Sequence, residues 1–462
     1  MINNNNYNIQ KADLRYSDFF SIMNRRKSSI INRQSPIINR QSSIANRQLP
    51  IANRQSSILL FVCLIFFAGC SNAHLRDARK AFYNNQPQKA AETLSQAKSF
   101  SKRDKLLLFM EKGLILHHMG EYGESIKELR QASALMERQG VISISRQTAS
   151  LVTTDWITEY KGEYAERLWV HTYLMMNYLI VRKHESALVE AKQALKILDS
   201  HPEPLSNDYF TRALIALCFD NLHEINDAYI EYKKLAKLMP DKSQAASDIY
   251  RLGLQLGFAD EAEQYKKYLP KHKLSMLNKG PSAELVLFAG TGSGPVKIPD
   301  NVVVPPSIRF SLPRYQERDT GYTKITVRDS VTGYLPVAAD ITTNINRVAK
   351  ASLEDRAAKL IAKETARVAA KEAITQAVTR KNNSEVLEVL MRAAFFLLEE
   401  PDTRCWETLP ASLKLLRVPL RPGRKYNLRV AAFSGGVVNE VILPEIMLNP
   451  GQRVYHSLRI NN

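Results

Sequence analysis

The sequence predicts an α+β multidomain fold, with an N-terminal all-α helical repeat array followed by a β-sandwich-like domain that contains inserted helices. Three observations predict it. Helical periodicity with recurring small residues dominates residues 70–278. Short apolar runs separated by tight-turn dipeptides fill residues 279–462, and an alanine-rich helical stretch interrupts them at 341–400. The chain of 462 residues is 45% apolar and 24% charged, which is typical of globular proteins.

The N-terminal residues 1–57 form a leader with a seven-residue repeat. An Arg-Gln pair recurs at Arg33-Gln34, Arg40-Gln41, Arg47-Gln48 and Arg54-Gln55. The heptads have at most two adjacent apolar residues, and two of them contain proline, so they lack the spaced apolar seam of a coiled coil. We interpret the leader either as translated repetitive DNA ahead of the true start codon or as a disordered segment, and we assign it no function.

An apolar signal-peptide core follows at residues 58–69. A helix needs about 20 apolar residues to span a bilayer, so this run is too short for a permanent span and has the length of a signal-peptide core. Phe67, Ala68 and Gly69 resemble a lipobox, because small residues precede Cys70, the expected lipid-attachment residue. Phe67 departs from the leucine that is usual at its position. The alternatives are an uncleaved anchor and an unlipidated secreted protein.

The chain carries a formal net charge of +18, part of which lies in the leader. Residues 1–69 hold nine Lys/Arg and two Asp/Glu. A positive mature chain favours anionic lipid, polymer or nucleic acid, and behind a signal peptide we expect no nucleic acid. A disulfide between Cys218 and Cys405 would have to join two domains, so two buried thiols are the simpler expectation.

Helical hairpins with the spacing of tetratricopeptide repeats recur between residues 75 and 270. The best copy contains Gly113, Leu116, Gly120, Tyr122, Ser125, Leu129 and Ala132; the second-helix spacing returns at Ala187, Ala191 and Ala194, and at Ala228, Tyr232, Leu235 and Pro240. Weaker copies flank these at Leu75–Ser99 and Ile249–Tyr268. A single unit cannot bury its apolar face alone, so the units must stack into a solenoid whose concave groove usually holds a peptide or protein. An all-helical bundle with chance alanines is the alternative.

An insertion between the first and second good copies, at residues 141–164, carries Trp156. This residue is a candidate exposed anchor for a partner. A tryptophan in such a place more often fills the seam between two repeats.

Short strands of one sandwich-like domain are predicted on both sides of the helical insertion. They are Ala283–Ala289, Val302–Val304, Ile308–Leu312, Thr323–Val327, Tyr334–Ala338, Leu413–Leu420, Lys425–Ala432, Val437–Leu443 and Arg453–Ile460. Pro-Gly and Gly-Gly pairs between the later strands predict hairpins. The glycine-rich stretch 290–294 lacks the Lys-Ser/Thr of a phosphate loop and precedes a strand-like segment, so we interpret it as a flexible hairpin.

The insertion contains a predicted helix at Asn344–Val378 and an apolar stretch at Val386–Leu398. On the first of these, Lys359, Lys363, Arg367 and Lys371 lie four residues apart and therefore along one face. That face is a candidate surface for anionic lipid or cell-wall polymer; a solvated face, offset by nearby glutamates, is the alternative. The apolar stretch is too short to span a membrane, so we expect it to be buried in the domain.

Motifs for catalysis or metal binding are missing from the sequence. The nine histidines are scattered, and there is no His-Glu-x-x-His, no Cys-x-x-Cys and no Gly-x-Ser-x-Gly. We therefore predict no metal, no cofactor and no enzymatic activity. The densest polar cluster contains Asp402, Arg404 and Trp406, and we predict a structural role for it: an ion pair of the first two and a core position for the tryptophan. No histidine lies near Cys405 in sequence to activate it as a nucleophile.

Several stretches of the chain resemble a family of uncharacterised bacterial tetratricopeptide-repeat lipoproteins with a C-terminal β domain. They are Tyr160–Glu163, Ala187–Ala191, Gly294–Lys297, Asp402–Pro410 and Arg417–Gly423. The similarity covers about residues 75–460, and Cys405 stands where a serine is expected. The resemblance implies a lipid-anchored periplasmic protein and supplies no activity and no catalytic residues. Ser71 resembles the residue after the lipidated cysteine in lipoproteins sorted to the outer membrane.

These observations lead to one hypothesis and one alternative. The hypothesis is a non-enzymatic, lipid-anchored protein of the bacterial cell envelope, at the outer membrane and facing the periplasm, whose repeat groove binds a protein partner in an envelope assembly. The alternative is a module that binds cell-wall polymer or polysaccharide through the β domain and the basic helix face.

Overall fold

The computed structural model describes ten segments of the chain. They are residues 73–96, 102–142, 159–269, 283–304, 308–319, 321–322, 324–382, 384–397, 400–434 and 437–460. All of them belong to one structural unit, Gly69–Asn462. The leader, the lipobox with Cys70, and Trp156 lie outside these described residues.

Twelve α-helices are present in the described residues, and the first ten pair into five helical hairpins. The hairpins are α1 (Ala73–Tyr83) with α2 (Pro87–Gln96), α3 (Lys105–His118) with α4 (Tyr122–Ile142), α5 (Tyr164–Ile180) with α6 (His184–Ser200), α7 (Tyr209–Asn221) with α8 (Ile225–Leu238), and α9 (Ser243–Gln255) with α10 (Ala259–Lys266). The predicted helical array is thereby confirmed, including the two weaker copies at its ends.

All five hairpins share the same turn. The second residue after the first helix has a positive φ of 57° to 81°, and the second helix begins two residues later. The five residues with positive φ are Asn85, Gly120, Arg182, His223 and Gly257. A left-handed residue at this place ends a helix and lets the chain reverse, so the common turn gives the five hairpins a common geometry.

Small residues let the two helices of a hairpin approach closely. A Cβ added to Gly113 would lie 2.6 Å from the side chain of Leu129, and one added to Gly253 would lie 3.0 Å from the Cβ of Ala262. The first contact would force the leucine side chain to move, and the second is tighter than nearly all contacts that a Cβ makes. The spacing of small residues therefore reports real helix contacts, as the sequence predicted.

Twelve strands follow the array. They are β1 (Ala283–Thr291), β2 (Val296–Val304), β3 (Ile308–Gln316), β4 (Lys324–Asp329), β5 (Gly333–Tyr334), β6 (Ala339–Asn344), β7 (Ser412–Leu420), β8 (Lys425–Tyr426), β9 (Leu428–Ser434), β10 (Val437–Ile442), β11 (Ile446–Met447) and β12 (Arg453–Ile460). One sheet has the order β12-β1-β7-β6 and the other β10-β9-β4-β5, while β2 pairs with β3 and β8 with β11. The pair β1–β12 is parallel, and the other pairs are antiparallel.

The first sheet lies between the second sheet and the helices. Leu285 and Leu287 of β1 belong to the same apolar cluster as Val327 and Val430 of the second sheet. The alternate residues of β1 point the other way, where Phe288 packs with the helical core. Because side chains alternate along a strand, β1 is buried at all nine positions. The predicted sandwich is present, and helices cover its inner sheet.

The glycine-rich stretch 290–294, which overlaps the end of β1, is not a flexible hairpin. The strand before it belongs to the first sheet, whereas β2 pairs only with β3 among the described strands. A Cβ on Gly294 would lie 2.8 Å from the carbonyl oxygen of Leu409, and one on Gly321 would lie 2.3 Å from the backbone nitrogen of Gly292. The flexible-hairpin prediction was wrong because these glycines allow backbone segments to pack against each other.

The insertion between β6 and β7 consists of α11 (Ile345–Asn382) and α12 (Glu385–Leu397). Arg392 of α12 forms an ion pair of 2.6 Å with Glu372 of α11. The expected burial of α12 is wrong: none of its described side chains is buried, and Val386, Val389 and Leu390 are 61% to 70% exposed. Among the described helices, none is long and apolar enough to cross a bilayer.

Candidate functional site

The first helices of the five hairpins form one face of the array, which we call the inner face. Eleven of the thirteen residues of α7 and fourteen of the seventeen residues of α5 are buried. Strands β6 and β7 contact α7, and β12 contacts α5. Ring centroids of Phe210 on α7 and Phe288 on β1 lie 6.0 Å apart. The chain's own strands therefore cover the face that was expected to hold a partner.

Acidic residues directly before three successive inner helices hold the C-terminal part of the chain. Asp104, Glu163 and Asp208 precede α3, α5 and α7. Their partners are Arg404 at 2.9 Å, Lys297 at 2.5 Å and the Thr343 hydroxyl at 3.0 Å, respectively. A negative charge at a helix N-terminus is also stabilised by the helix dipole. The same three residues therefore support the helices and attach the C-terminal part to them.

A second group of buried charges joins α7 and α9 to the first sheet. Arg417 of β7 lies 2.5 Å from Asp248, and Arg453 of β12 lies 2.5 Å from Asp220. Glu284 of β1 accepts from both guanidinium groups, at 2.8 and 3.0 Å. Burial opposes the charged form of Asp220, but Arg453, Arg251 and Arg417 together outweigh it and lower the pKa of that carboxyl to about 2. Arg251 also pairs with Asp220 and Asp248. The three arginines and three acids therefore form a charge-balanced network that spans the junction of helices and strands.

The polar motif of residues 402–409 also packs on the inner face. Arg404 donates to both oxygens of Asp402 at 2.8 Å. Trp406 is 1% exposed, its backbone N–H donates to Glu166 at 2.7 Å, and its ring lies 5.7 Å from that of Tyr173. The motif thus lies in the interface between the helices and the strands. It contains the ion pair of Asp402 with Arg404 and the buried Trp406.

The environment of Lys297 does not favour catalysis. Burial opposes its charge, but Glu163 and Glu166 outweigh that effect and raise the pKa of the ammonium group.

Burial raises the pKa of the Cys405 thiol to about 12, so the nucleophilic thiolate is scarce at neutral pH. In the part of the chain that the structure describes, no group of three or more His, Cys, Asp or Glu could hold a metal ion.

The four basic residues singled out on α11 differ in exposure. Lys359 is exposed, Lys363 is half-buried, and Arg367 and Lys371 are buried. Arg367 pairs with Glu364 on the same helix. Two of the four charges are therefore unavailable to a flat polymer or a membrane surface.

The outer face of the array consists of the second helices of the hairpins, and it carries exposed apolar side chains. Val189 on α6 is 57% exposed, while Ile230 and Leu238 on α8 are 40% and 38% exposed. Sequence patterns did not identify these residues as functional, nor the acidic residues before the inner helices. The sequence offered one signal for the second group: an acidic residue recurs directly before successive helices.

Comparison with known proteins gives matches among solved structures alone, since no family model and no curated protein matches the chain. MamA of AMB-1 is 15% identical, covers 46% of this chain and 92% of its own, and has a TM-score of 0.31. MamA residues 41–end from Desulfovibrio magneticus RS-1 are 11% identical, with coverages of 45% and 95% and a TM-score of 0.30. A further MamA crystal structure is 13% identical, with coverages of 45% and 92% and a TM-score of 0.32. At these sequence identities and TM-scores, the similarity supports no conclusion about function.

Proposed function

We propose that the chain is a non-enzymatic, lipid-anchored scaffold of the bacterial cell envelope that binds a protein partner through the outer face of its helical array. The observation that supports this role is the occupied inner face. Because the chain's own strands cover the inner helices, the outer helices are the face of the array that is left for a partner. Exposed apolar residues such as Val189 and Ile230 are available there, and exposed apolar surface is a common feature of protein-binding sites.

A non-enzymatic role is supported by the state of the buried polar groups. General acids and bases must reach the substrate within hydrogen-bond distance. Glu163, Asp220 and Asp248 are each buried in ion pairs with basic residues of the same chain. Cys405 is buried with a raised pKa. These groups hold the fold together and are closed to a substrate.

Lipid anchoring at Cys70 and an outer-membrane location facing the periplasm are parts of the same proposal. The lipobox-like sequence before Cys70 and the neutral Ser71 support them. Helix α1 begins at Ala73, three positions after the cysteine. Labelling of cells with a radioactive lipid precursor should mark the wild-type protein and leave Cys70→Ala unmarked. An unlabelled wild-type protein would remove the anchor from the proposal.

The cell-wall polymer alternative relied on the basic face of α11. Burial of Arg367 and Lys371 leaves too little of that face accessible for a polymer. We therefore propose a protein partner and not a polymer as the ligand.

Photo-crosslinking in cells tests the scaffold role. A photoreactive amino acid replaces Val189 on the outer face or, as the matched control, Val331 in the turn between β4 and β5. Both side chains are exposed, at 57% and 79%, so neither change disturbs the core. We expect a discrete protein adduct from position 189 and none from position 331. An adduct from the control position alone, or none from either, would refute the outer-face scaffold.

A further inference from the structure

We infer that a lysine-rich groove on the outer face binds an acidic segment of a protein partner. The groove has a volume of about 510 Å³ and lies between α8 and α10, the second helices of the last two hairpins. Its size falls within the range of about 300–1,000 Å³ that is common for ligand pockets. This inference rests on the proposed scaffold role and names the chemistry of the partner.

The charge of the groove selects an anionic ligand. Its lining contains Lys233, Lys234, Lys237, Lys242 and Lys267 and a single acidic residue, Glu261. Lys233 pairs with that glutamate, and Lys234 pairs with Glu231.

Three lysines of the groove remain without a carboxylate. Lys237, Lys242 and Lys267 form no ion pair with any of the residues that the structure describes, and all three are exposed. Like charges that share one groove repel each other, so an incoming carboxylate lowers the energy of the group. The groove therefore has a net positive potential that the described residues around it do not neutralise.

Aromatic side chains form part of the groove surface, which we call its floor. The ring of Tyr268 lies 5.8 Å from the ammonium nitrogen of Lys242 and 5.1 Å from that of Lys267, which holds both cations over one aromatic surface. Tyr265 and Ile230 extend the apolar surface. A peptide that combines carboxylates with apolar side chains matches both features. An anionic polysaccharide offers no apolar side chain for the floor, so the peptide is favoured.

The chain following the groove cannot supply the acidic ligand. Residues 270–282 contain neither Asp nor Glu, and three of them are lysines. This segment is therefore not the acidic ligand, and a partner protein is the source that the scaffold role provides.

Fluorescence polarisation with a labelled peptide of alternating glutamate and leucine tests the inference on the intact protein. The groove variant carries Lys237→Glu, Lys242→Glu and Lys267→Glu. The matched control carries Lys89→Glu, Lys196→Glu and Lys350→Glu, which are also exposed and change the net charge by the same amount. Both sets lie on the surface, so circular dichroism should show wild-type folding for each.

We expect the groove variant to bind the peptide at least about tenfold more weakly than the wild type, and the control to stay within about threefold, since only the first set removes the local charges. Three results would overturn the inference: no binding by the wild type, an equal loss in both variants, or equally tight binding of dextran sulfate that the groove variant abolishes. Retention of the adduct from position 189 would then show that the scaffold role stands while the groove assignment falls.

Discussion

Replacing Lys297 by methionine should destabilise the whole fold. Its ammonium nitrogen lies 2.5 Å from Glu163, and the two side chains are only 2% and 7% exposed. Removing one partner of a buried ion pair leaves an uncompensated charge and costs about 3–5 kcal/mol. Arg356 also pairs with Glu163 and remains in the variant. We therefore expect the lower end of that range, about 3 kcal/mol of unfolding free energy.

Lys425→Met provides the matched control. Lys425 also lies on a strand and pairs with Glu445 at 2.9 Å, but the two side chains are 66% and 51% exposed. Surface ion pairs contribute about 0–1 kcal/mol. Urea unfolding of the intact protein, followed by far-ultraviolet circular dichroism, measures both variants. A loss below about 1 kcal/mol in Lys297→Met, similar to the control, would refute the role of the buried pair in holding helices and strands together.

The remaining predictions concern helix packing, a buried histidine and the buried thiols. Gly113→Ala places a methyl group 2.6 Å from a leucine of the paired helix, so we expect a loss of about 1–3 kcal/mol. Gly123→Ala meets nothing within 4 Å and should stabilise the fold by about 0.5–1 kcal/mol; urea unfolding measures both, and equal effects would contradict the packing. Burial lowers the pKa of His117 from 6.5 to about 4. Between these two pH values the unfolded chain binds a proton at this histidine and the folded chain does not. The free energy of unfolding therefore falls by about 3 kcal/mol as the pH drops through this window. His117→Gln should flatten the pH dependence of the unfolding free energy there, and an unchanged slope would count against it. Cys218 and Cys405 are buried and should react with alkylating reagents only after unfolding, as mapped by mass spectrometry; rapid labelling of the native protein would disagree.

Local sequence patterns predicted the helical array well because helix pairing is a local event. Gly113 and Leu129 are sixteen residues apart in the chain, and their contact requires a small residue at position 113. Such a requirement is visible in the sequence as a small residue at a fixed spacing from the second helix. Alternating apolar residues likewise identified most of the strands. The strand β6 (Ala339–Asn344) was not predicted, because Ile341 is its only bulky apolar residue and gives no apolar run or alternation.

The occupied inner face lay beyond what sequence patterns can tell. The partners Asp104 and Arg404 are 300 residues apart, and Glu163 and Lys297 are 134 apart. An acidic residue before a helix is explained equally well by helix capping, so its long-range partner leaves no trace in local spacing. The exposure of α12 was missed for a similar reason: burial depends on which elements lie nearby, and its apolar composition alone favoured a buried position.

The central claim is that the C-terminal strands of the chain occupy the inner face of its own helical array. The most direct test is a double-mutant cycle between Asp220 on α7 and Arg453 on β12, which lie 2.5 Å apart. Direct contact predicts a coupling energy of about 0.5–3 kcal/mol between Asp220→Asn and Arg453→Met. The control pair, Asp220→Asn with Arg429→Met on the exposed face of the second sheet, should couple by less than about 0.5 kcal/mol. Coupling of the first pair no larger than that of the control would contradict the account.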